Sequence, residues 1–409
     1  MIDEKYNELT EWMFEQVPMF QNEGAGAYKP GLERVLALSE AFGNPHLALK
    51  CVHVAGTNGK GSTSSLIASS LQESGLKTGL FTSPHLIDFR ERIRIDGQMI
   101  SKAEVVDFIE RYRAMNLPIE PSFFELTTVM AFEWFAKQKV DVAVIEVGLG
   151  GRLDSTNIIT PAVSVITNIS LDHTALLGHT PAEIAREKGG IIKSGIPVVI
   201  GHAEGDVRKV FAEIAKERGA EIIFAEDSPI KTPTCPLTGD CQLENTNTAM
   251  HALRLLNVNK NTIERGFANV LENSGLMGRW MVVGQNPTVV CDTGHNPGGW
   301  DFLGPRLKKI ADEGTLRMVI GFVNDKDINT ILAMMPRNAK YYFCSPSVKR
   351  GRPAAELEAE AARHGLTGRV FDTVDEAFAA AKADASATDT IFVGGSTFVV
   401  ADLLKTLKS

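Results

Sequence analysis

Short apolar runs alternate with longer stretches of helical periodicity along most of the chain. Runs that are apolar at every position, such as Val142-Ala143-Val144-Ile145, predict strands buried on both faces of a parallel sheet. In the first part of the chain, strands are predicted at Cys51–Ala55, Thr78–Phe81, 141–147, 162–168, 196–200 and 221–224. Helices are predicted between them at 62–74, which stops at Gly75, and at Phe123–Lys137. This alternation predicts an α/β fold with helices on both faces of the sheet.

A second series of strands and helices begins near residue 286. Its strands are predicted at 288–291, 318–322, 341–344, 369–371 and 390–393, and its alanine-rich helices at 354–364 and Val374–Ala383. The stretch 227–240 contains three prolines and predicts an extended surface segment, whereas 245–270 still has the pattern of helices packed on the first sheet. At 409 residues the chain is long enough for two domains, which we predict at 1–276 and 280–409.

Composition and charge exclude several classes of protein. The chain is 44% hydrophobic and 22% charged, as in folded globular proteins, and its net charge of −8 disfavours nucleic acid as a partner. We expect no membrane partner, because no apolar stretch approaches the roughly 20 residues that cross a bilayer. The acidic start of the chain is unlike a secretory signal, and five scattered cysteines fit reduced thiols, so we expect a cytoplasmic protein. No coiled-coil heptads are visible, and a monomer is the default expectation.

A phosphate loop is predicted at residues 56–62, where the sequence GTNGKGS connects the first strand to a helix. Glycines let backbone N–H groups approach phosphates, Lys60 would neutralise the β and γ oxygens, and the Ser62 hydroxyl would reach Mg²⁺. The loop departs from the common GxxxxGK[ST] pattern, because Val54 occupies the first glycine position and Gly61 separates Lys60 from Ser62. This departure argues against an ordinary GTPase or transporter ATPase.

Candidate metal ligands follow other predicted strands. Glu146 ends one strand and His173 follows the next, so we expect both to emerge from neighbouring strands at the edge where α/β sheets bind ligands. Ser83 follows the second strand and would reach the same edge. Lys188 lies in the sequence EKGGIIK, and by periodicity alone it is a solvated lysine at a helix end.

Eight sequence blocks, taken together, resemble one family. In chain order they are GTNGKGS (56–62), TSPHL (82–86), ERI (91–93), EVGLGGRLDSTN (146–157), LDHTALLG (171–178), EKGGIIK (187–193), DTGHNP (292–297) and NDKD (324–327). The blocks cover essentially the whole chain and resemble the folylpolyglutamate synthase and dihydrofolate synthase family of the Mur ligase superfamily.

The resemblance implies an α/β fold with a P-loop, Mur-ligase-type ATPase domain followed by a smaller Rossmann-like α/β domain, with the active site in the cleft between them. It implies an ATP-dependent ligase with two Mg²⁺ ions that adds L-glutamate to a folate or dihydropteroate carboxylate through an acyl phosphate. Whether the carboxylate donor is dihydropteroate, a reduced folate or both stays open.

The resemblance also implies roles for individual residues. Those expected to bind ATP are Thr57, Asn58, Gly59, Lys60, Gly61, Ser62, Asn247, Arg279, Asp292 and Lys326. Those expected to hold the two Mg²⁺ ions are Ser62, Ser83, Glu146, His173 and Lys188, the last as a carbamate. The pterin substrate is expected at Phe123, Phe124, Leu153 and Asp154. His295, in a block of the second domain, joins Lys60, Glu146, His173 and Lys188 as the residues expected to act in catalysis.

The chain differs from the family pattern at three places. Gly189 and Gly294 stand where the family usually has alanine, and residues 229–240, which include Cys235, match no block. Two other functions stay open. One is a Mur-type amino-acid ligase acting on another carboxylate, although the cell-wall enzymes typically carry an additional domain before the phosphate loop. The other is a non-catalytic P-loop module that only binds ATP.

Overall fold

The strands predicted before residue 225 all lie in one sheet of the computed structural model, which describes residues 2–17, 30–324 and 328–408. The chain divides into two units, Met1–Pro236 with Cys241–Leu276 and Leu237–Asp240 with Met277–Ser409. Each unit contains one sheet and the helices that cover it, which confirms the predicted α/β class.

The sheet of the first unit is mostly parallel. Its strands are β1 (Cys51–Ala55), β2 (Thr78–Phe81), β3 (Ile93–Ile95), β4 (Gln98–Met99), β5 (Val142–Glu146), β6 (Val163–Ile166), β7 (Val198–Ile200) and β8 (Ile222–Phe224). In the described residues their order across the sheet is β4-β3-β2-β5-β1-β6-β7-β8, and only β3 and β4 run antiparallel to their neighbours. The predicted strands end within two residues of the observed ends. The apolar pattern does not predict β3 and β4, because two or three residues are too few to show a period.

Helices cover both faces of this sheet, since all five residues of β5 are buried. The helices of the first unit are α1 (Ile2–Gln16), α2 (Glu33–Ala41), α3 (Lys60–Glu73), α4 (Lys102–Met115), α5 (Phe123–Lys137), α6 (Thr174–Leu177), α7 (Pro181–Gly189), α8 (Gly205–Arg218), α9 (Asp240–Leu255), α10 (Lys260–Ala268) and α11 (Val270–Ser274). Short 3-10 helices lie at Pro45–Ala48, Phe89–Arg92, Ser155–Ile158 and Ala225–Asp227. Aromatic side chains of α5, including Phe132 and Phe135, pack with Ala143 and Ile145 of β5 in the core.

The second unit repeats the architecture on a smaller scale. Its strands are β9 (Met281–Gly284), β10 (Thr288–Asp292), β11 (Leu316–Ile320), β12 (Lys340–Phe343), β13 (Gly368–Val370) and β14 (Thr390–Gly394), and its helices are α12 (Pro297–Glu313), α13 (Ile328–Met334), α14 (Ala354–Arg363), α15 (Val374–Ala383) and α16 (Thr397–Thr406). Across the described residues the strand order is β13-β12-β11-β14-β10-β9, and only β9 is antiparallel. Trp300 of α12 is fully buried in the core of this unit with Phe392 of β14.

The carboxyl ends of four parallel strands, β2, β5, β1 and β6, meet at one edge of the first sheet, which we call the carboxyl edge. Register fixes their relative heights: Val54 lies opposite Glu146, and Ala55 lies opposite Ile166. The segments that leave this edge carry most of the site residues predicted for the first domain. None of the helices in the described ranges is long and apolar enough to cross a membrane.

Candidate active site

The strand order corrects one expectation about the carboxyl edge. Glu146 at the end of β5 and the segment that leads to His173 after β6 do lie at the same edge, but their strands are not neighbours. Strand β1 runs between them and pairs with both. The phosphate loop therefore emerges between the two candidate metal ligands.

The phosphate loop needs its glycines for backbone conformation and for space. Gly59 has φ +82° and precedes α3, and a Cβ there would lie 2.0 Å from Asn245 Oδ1. Gly56 has φ +142°, and a Cβ there would lie 1.8 Å from Thr167 Oγ1. Both positions combine a backbone conformation that side chains disfavour with a collision, so each requires glycine.

Hydrogen bonds attach the phosphate loop to residues 167–170, the segment after β6. The Thr57 N–H donates to Asn168 O (2.9 Å) and the Asn58 N–H donates to Asn168 Oδ1 (3.0 Å). The side chains of Thr57 and Asn58 both bond Ser170, at 3.2 Å to its carbonyl and 3.1 Å to its hydroxyl. These contacts fix the position of the loop relative to the segment after β6. Periodicity gives no reason to single out Asn168 or Ser170, although both directly follow a strand at the ligand-binding edge.

Two lysines converge on the phosphate loop. Lys60 Nζ donates to the carbonyl oxygens of Gly56 and Thr57, both at 3.1 Å. Lys188, near the end of α7, is buried and its Nζ donates to the same Gly56 oxygen at 2.9 Å. The interpretation of Lys188 as a solvated lysine is therefore wrong.

The charge of Lys188 is unfavourable at this place. Burial lowers the pKa of the Lys188 ammonium to about 7, and repulsion from Lys60 acts in the same direction, while Asp172 and Asp154 partly oppose both. Close to neutral pH the side chain is consequently a mixture of ammonium and free amine. A free amine is a nucleophile, which an ordinary surface lysine is not at this pH.

Glu146 is buried where β5 ends, and its environment is polar. The Ser83 N–H donates to Glu146 Oε2 at 3.0 Å, so Ser83 and Glu146 lie together as predicted from their strands. The guanidinium of Arg92 is buried nearby and donates from Nε to His85 Nδ1 at 2.8 Å. Burial lowers the pKa of Arg92 to about 10, and the negative charge of Glu146 works against that decrease.

His173 precedes the short helix α6 and adopts a left-handed conformation, with φ +50°. Its Nε2 lies 3.8 Å from Asp172 Oδ2, and a quarter of its side chain is exposed. Within the residues that the structure describes, no group of three or more His, Cys, Asp or Glu side chains could hold a metal ion. Any metal at this edge would need additional ligands from a substrate or from water.

Helix α9 contributes two amide side chains that sequence reasoning missed. Gln242 Nε2 donates to the buried hydroxyl of Ser62 at 3.3 Å, and Asn245 Nδ2 donates to Gln242 Oε1 at 3.0 Å. Asn247, which the resemblance assigns to the nucleotide, instead bonds Ala225 O (2.8 Å) and Ile230 N (2.9 Å). Its nucleotide contact stays a prediction. Polar residues on a helix are typical of a solvated face, which is why Gln242 and Asn245 gave no signal.

The residues expected to receive the pterin lie near the start of α5 and in the loop after β5. Phe123 is buried among aromatic rings, with the ring of Phe14 centred 5.5 Å away, and the guanidinium of Arg92 lies 5.2 Å from its centroid. Phe124 is half-buried against Phe81, with the ring centres 5.8 Å apart. Leu153 is also half-buried.

Asp154 is buried and accepts several hydrogen bonds. Its Oδ2 accepts from Leu149 N at 2.9 Å, and its Oδ1 accepts from Thr156 N at 3.0 Å and from the Thr156 hydroxyl. Burial raises the pKa of the Asp154 carboxyl, and these donors oppose the increase. The carboxylate thus organises the loop that contains it, and a direct contact with the pterin stays a prediction.

The second unit brings three of its predicted residues together at the end of β10. Asp292 is buried and accepts from Trp280 N (2.7 Å) and Gly294 N (2.8 Å); burial raises the pKa of its carboxyl, and the positive charge of Arg279 opposes that increase. Arg279 donates to the Thr293 hydroxyl, and His295 Nδ1 donates to the Thr293 carbonyl at 3.0 Å. Lys326 lies outside the described residues.

The two glycines that depart from the family pattern have neighbours that occupy the space of an alanine Cβ. A Cβ at Gly189 would lie 2.6 Å from Ile214 Cδ1, and one at Gly294 would lie 2.5 Å from Leu303 Cδ1. Both neighbours are ends of aliphatic side chains.

Comparison with known proteins gives matches along the chain. The Mur ligase middle domain matches residues 54–231, and the Mur ligase glutamate ligase domain matches residues 278–397. The dihydrofolate synthase/folylpolyglutamate synthase of Escherichia coli K12 is 36% identical over 398 residues, which cover 92% of this chain and 91% of that protein.

Two solved structures are similar over nearly their whole length. Escherichia coli FolC in complex with DHPP and ADP has a TM-score of 0.84 at 33% identity and covers 98% of this chain and 97% of its own. A bifunctional folylpolyglutamate synthase/dihydrofolate synthase with Mn, AMPPNP and L-glutamate bound has a TM-score of 0.84 at 32% identity and covers 98% of both chains. These matches confirm the resemblance and the two-domain architecture drawn from the sequence blocks.

Proposed function

Because this chain belongs to the dihydrofolate synthase/folylpolyglutamate synthase family of Mur ligases, we propose that it joins L-glutamate to a carboxylate of a folate or dihydropteroate, with ATP as the energy source. One observation from the structure supports the proposal independently of the similarity to known proteins. Lys60 and Lys188 both bond the Gly56 carbonyl in a loop that emerges between Glu146 and the segment of His173. This arrangement suits the transfer of a phosphoryl group.

The phosphate loop would bind ATP through residues 57–62. The N–H groups at the start of α3 and the ammonium of Lys60 would face the phosphates, because a helix N-terminus and a lysine both favour anions. A phosphate would be a stronger acceptor for Lys60 than the two neutral carbonyl oxygens that it bonds, because the phosphate is charged. Arg279, Asp292, His295 and Lys326 of the second unit keep the nucleotide and catalytic roles that the resemblance implies.

The residues at the carboxyl edge fit Mg²⁺. Ser62, Ser83 and Glu146 supply oxygen atoms, and Mg²⁺ is usually held by one or two carboxylates together with substrate phosphates, which explains why a complete cluster of protein ligands is not needed. We propose that Ser62, Ser83, Glu146, His173 and Lys188 together hold the two ions. Bound Mg²⁺ would offset negative charge on the β and γ phosphates.

The reaction follows in two steps. A carboxylate oxygen of the folate attacks the γ phosphorus, the bond from that phosphorus to ADP breaks, and an acyl phosphate forms. The amine nitrogen of L-glutamate then attacks the acyl carbon, phosphate leaves, and the amine loses one proton. Lys60 would offset charge during the first step, and Glu146 and Lys188 are buried, so their charges act in surroundings that screen them little.

We further propose that Lys188 is carbamylated. Its amine is buried beside a second cation, and reaction with CO₂ converts it to a carbamate with release of one proton, so that a negative group replaces a repelled positive one. A carbamate oxygen would also suit Mg²⁺ better than an ammonium does. Protein equilibrated with ¹³CO₂ should give a carbamate carbon signal by NMR that is missing in Lys188→Met; the same spectrum for both proteins refutes the modification.

Two assays test the ligase. Carboxylate labelled with ¹⁸O should transfer one label to released phosphate, and unlabelled phosphate would rule out the acyl phosphate. Dihydropteroate and tetrahydrofolate, assayed side by side with ATP and L-glutamate, decide between one carboxylate donor and two. ATP binding without phosphate release from any of these mixtures would support the non-catalytic module, and phosphate release that needs neither a folate nor glutamate would indicate an ATPase without ligase chemistry.

Four further predictions from the sequence belong with this proposal. We propose domains at 1–276 and 280–409, a monomer, and a cytoplasmic location, with small molecules rather than nucleic acids or membranes as partners. Light scattering of the purified protein tests the monomer, because a dimer doubles the measured mass.

A further inference from the structure

A histidine lies buried in the middle of the strand that leads to the phosphate loop. His53 of β1 is fully buried, with Ile145 of β5 and Ser164 of β6 as its partners in register. Its Nε2 lies 2.8 Å from Thr156 Oγ1, which belongs to the 3-10 helix after the glycine-rich segment 148–151. The central strand is thereby connected to the loop of Asp154.

The direction of the hydrogen bonds follows from chemistry. The Asp154 carboxylate accepts, so the Thr156 hydroxyl donates its proton to Asp154 Oδ1. The oxygen of Thr156 must then accept from His53, which places the histidine proton on Nε2. The other ring nitrogen, Nδ1, is unprotonated and buried, with no hydrogen-bond partner in the described part of the chain. An aliphatic residue at this position would avoid that unsatisfied atom, so the core alone does not account for a histidine.

The hydrogen bonds that connect His53, Thr156 and Asp154 hold a loop that lies against two predicted site residues. Asp154 Oδ2 accepts from Leu149 N, inside the glycine-rich segment. A Cβ at Gly148 would lie 2.4 Å from the ring of Phe124, and a Cβ at Gly151 would lie 2.9 Å from the carbonyl oxygen of Lys188. Small displacements of this loop would therefore move it against Phe124 on one side and α7 on the other.

A second set of bonds holds the same turn from outside. Lys193 Nζ donates to Asn157 O at 2.9 Å, and Asn157 Nδ2 donates to Arg152 O (3.0 Å) and to Gly190 O (3.1 Å). The backbone after Asp154 is anchored by these contacts. The Thr156 hydroxyl is the donor that connects the Asp154 carboxylate to His53, beside the two backbone N–H groups of Leu149 and Thr156 that also bond it.

We propose that His53 and Thr156 are positioning residues for the folate or dihydropteroate substrate, acting through the Asp154 carboxylate on the loop 148–151. The proposal rests on the proposed ligase function. In this proposal neither residue touches the substrate. Loss of the hydrogen bonds from His53 to Asp154 should therefore weaken binding of the carboxylate substrate more than binding of ATP.

Matched variants separate this role from simple packing. Thr156→Val keeps the shape and deletes the hydroxyl, whereas Thr156→Ser keeps the hydroxyl. His53→Leu deletes the donor, and His53→Gln keeps an N–H near the position of Nε2. We expect Thr156→Val and His53→Leu to raise the KM for dihydropteroate or tetrahydrofolate about tenfold, with the KM for ATP changed less than about twofold. The Ser and Gln variants should recover most of the loss, and the double variant His53→Leu/Thr156→Val should be no worse than Thr156→Val alone.

A second measurement does not depend on activity. In protein labelled with ¹⁵N-histidine, the ring signal that is missing in His53→Gln should show a neutral ring with its proton on Nε2, and that proton should shift in Thr156→Val. A proton on Nδ1 would contradict the proposed hydrogen bonds from His53 to Asp154. A signal that Thr156→Val leaves unchanged would contradict them too, and both results hold even if the other variants do not fold.

The two proposals fail in different ways. Wild-type protein that releases no phosphate with glutamate and a folate contradicts the ligase, while the NMR result still decides the hydrogen bonds. An active wild type whose Val and Leu variants lose stability but keep the KM of the folate substrate shows that His53 and Thr156 are only core residues.

Discussion

Lys60 and Lys188 donate hydrogen bonds to the same atom, the carbonyl oxygen of Gly56. The first lysine comes from the phosphate loop and the second from α7, and both point at the carboxyl edge of the first sheet. Two cations at one acceptor repel each other, and burial lowers the pKa of Lys188 to about 7 while Lys60 adds to the effect. The two side chains therefore make this part of the phosphate loop favourable for a negatively charged group.

Replacing Lys60 tests the phosphate loop. We expect Lys60→Ala to lower kcat by at least about 100-fold, because its ammonium would offset the charge of the transferring phosphoryl group. Steady-state phosphate release measures the change, and circular dichroism should show a native fold. Lys209→Ala is the matched control, since Lys209 is exposed on α8 and pairs with Asp206 at the surface. Equal activity in both variants would refute the assignment.

Removing the Lys188 side chain tests the carbamate by chemical rescue. Lys188→Ala should lose most activity, and acetate or propionate added at millimolar concentration should restore part of it, because a small carboxylate can occupy the space of the missing carbamate. Chloride at the same ionic strength serves as the control. Rescue by chloride, or an alanine variant that is fully active, argues against a carboxylate at this position.

Stability should depend on pH through Lys188. Its pKa is about 7 in the folded chain against 10.5 for an ordinary lysine, so between these values the unfolded chain binds more protons. The free energy of unfolding should then rise with pH relative to Lys188→Met, by up to about 1.4 kcal/mol per pH unit in that window. Below pH 7 the full penalty of the buried charge is present.

The measurement is denaturant unfolding of both proteins at pH 7 and pH 9 in buffer free of CO₂, because a carbamate changes the proton count. Titrating groups that do not interact with Lys188 affect both proteins alike and cancel in the difference. If the free energy of unfolding changes by the same amount in both proteins between pH 7 and pH 9, the low pKa of Lys188 is contradicted.

Two glycines with similar φ angles distinguish the effect of backbone strain from the effect of a collision with a neighbouring side chain. Gly59 (φ +82°) faces Asn245, whereas a Cβ at Gly195 (φ +71°) would have no neighbouring atom within 4 Å in the described part of the chain. Alanine at Gly195 should cost only about 1 kcal/mol of stability from the left-handed conformation and leave the KM for ATP unchanged. Alanine at Gly59 adds the collision and should raise the KM for ATP roughly tenfold or more. Similar kinetics for both variants would mean that Asn245 moves aside without consequence.

Two asparagines of α9 test which residue of this helix supports nucleotide binding: the contacts in the structure favour Asn245, whereas the sequence resemblance implies Asn247. We expect Asn245→Ala to weaken ADP binding about tenfold, since Asn245 lies against Gly59 and supports Gln242 beneath Ser62. Asn247→Ala should mainly lower the melting temperature, because it releases the segment between Ala225 and Ile230. Calorimetric titration with ADP measures the affinity of both variants, and thermal unfolding measures their melting temperatures. Weaker binding in Asn247→Ala alone would favour the role implied by the resemblance.

The sequence determined the elements and the loop chemistry near them. Continuous apolar runs of this length are typical of buried strands, so β1, β5 and β6 were predictable, and the phosphate loop was predictable because it directly joins β1 to α3. Ser83 and Glu146 were placed correctly for the same reason: each ends or follows a parallel strand, and parallel strands end at one edge.

Only the tertiary structure decided which of these strands are neighbours and which distant side chains complete the site. Strand order depends on how helices pack across the whole sheet, so β1 lies between the strands of Glu146 and His173, although no local pattern says so. Lys188 and Gln242 look solvated by periodicity, because a helical pattern shows which face is apolar but not what the polar face contacts. Their contacts with the phosphate loop arise from the packing of α7 and α9, which places residues far apart in the chain within hydrogen-bond distance of each other.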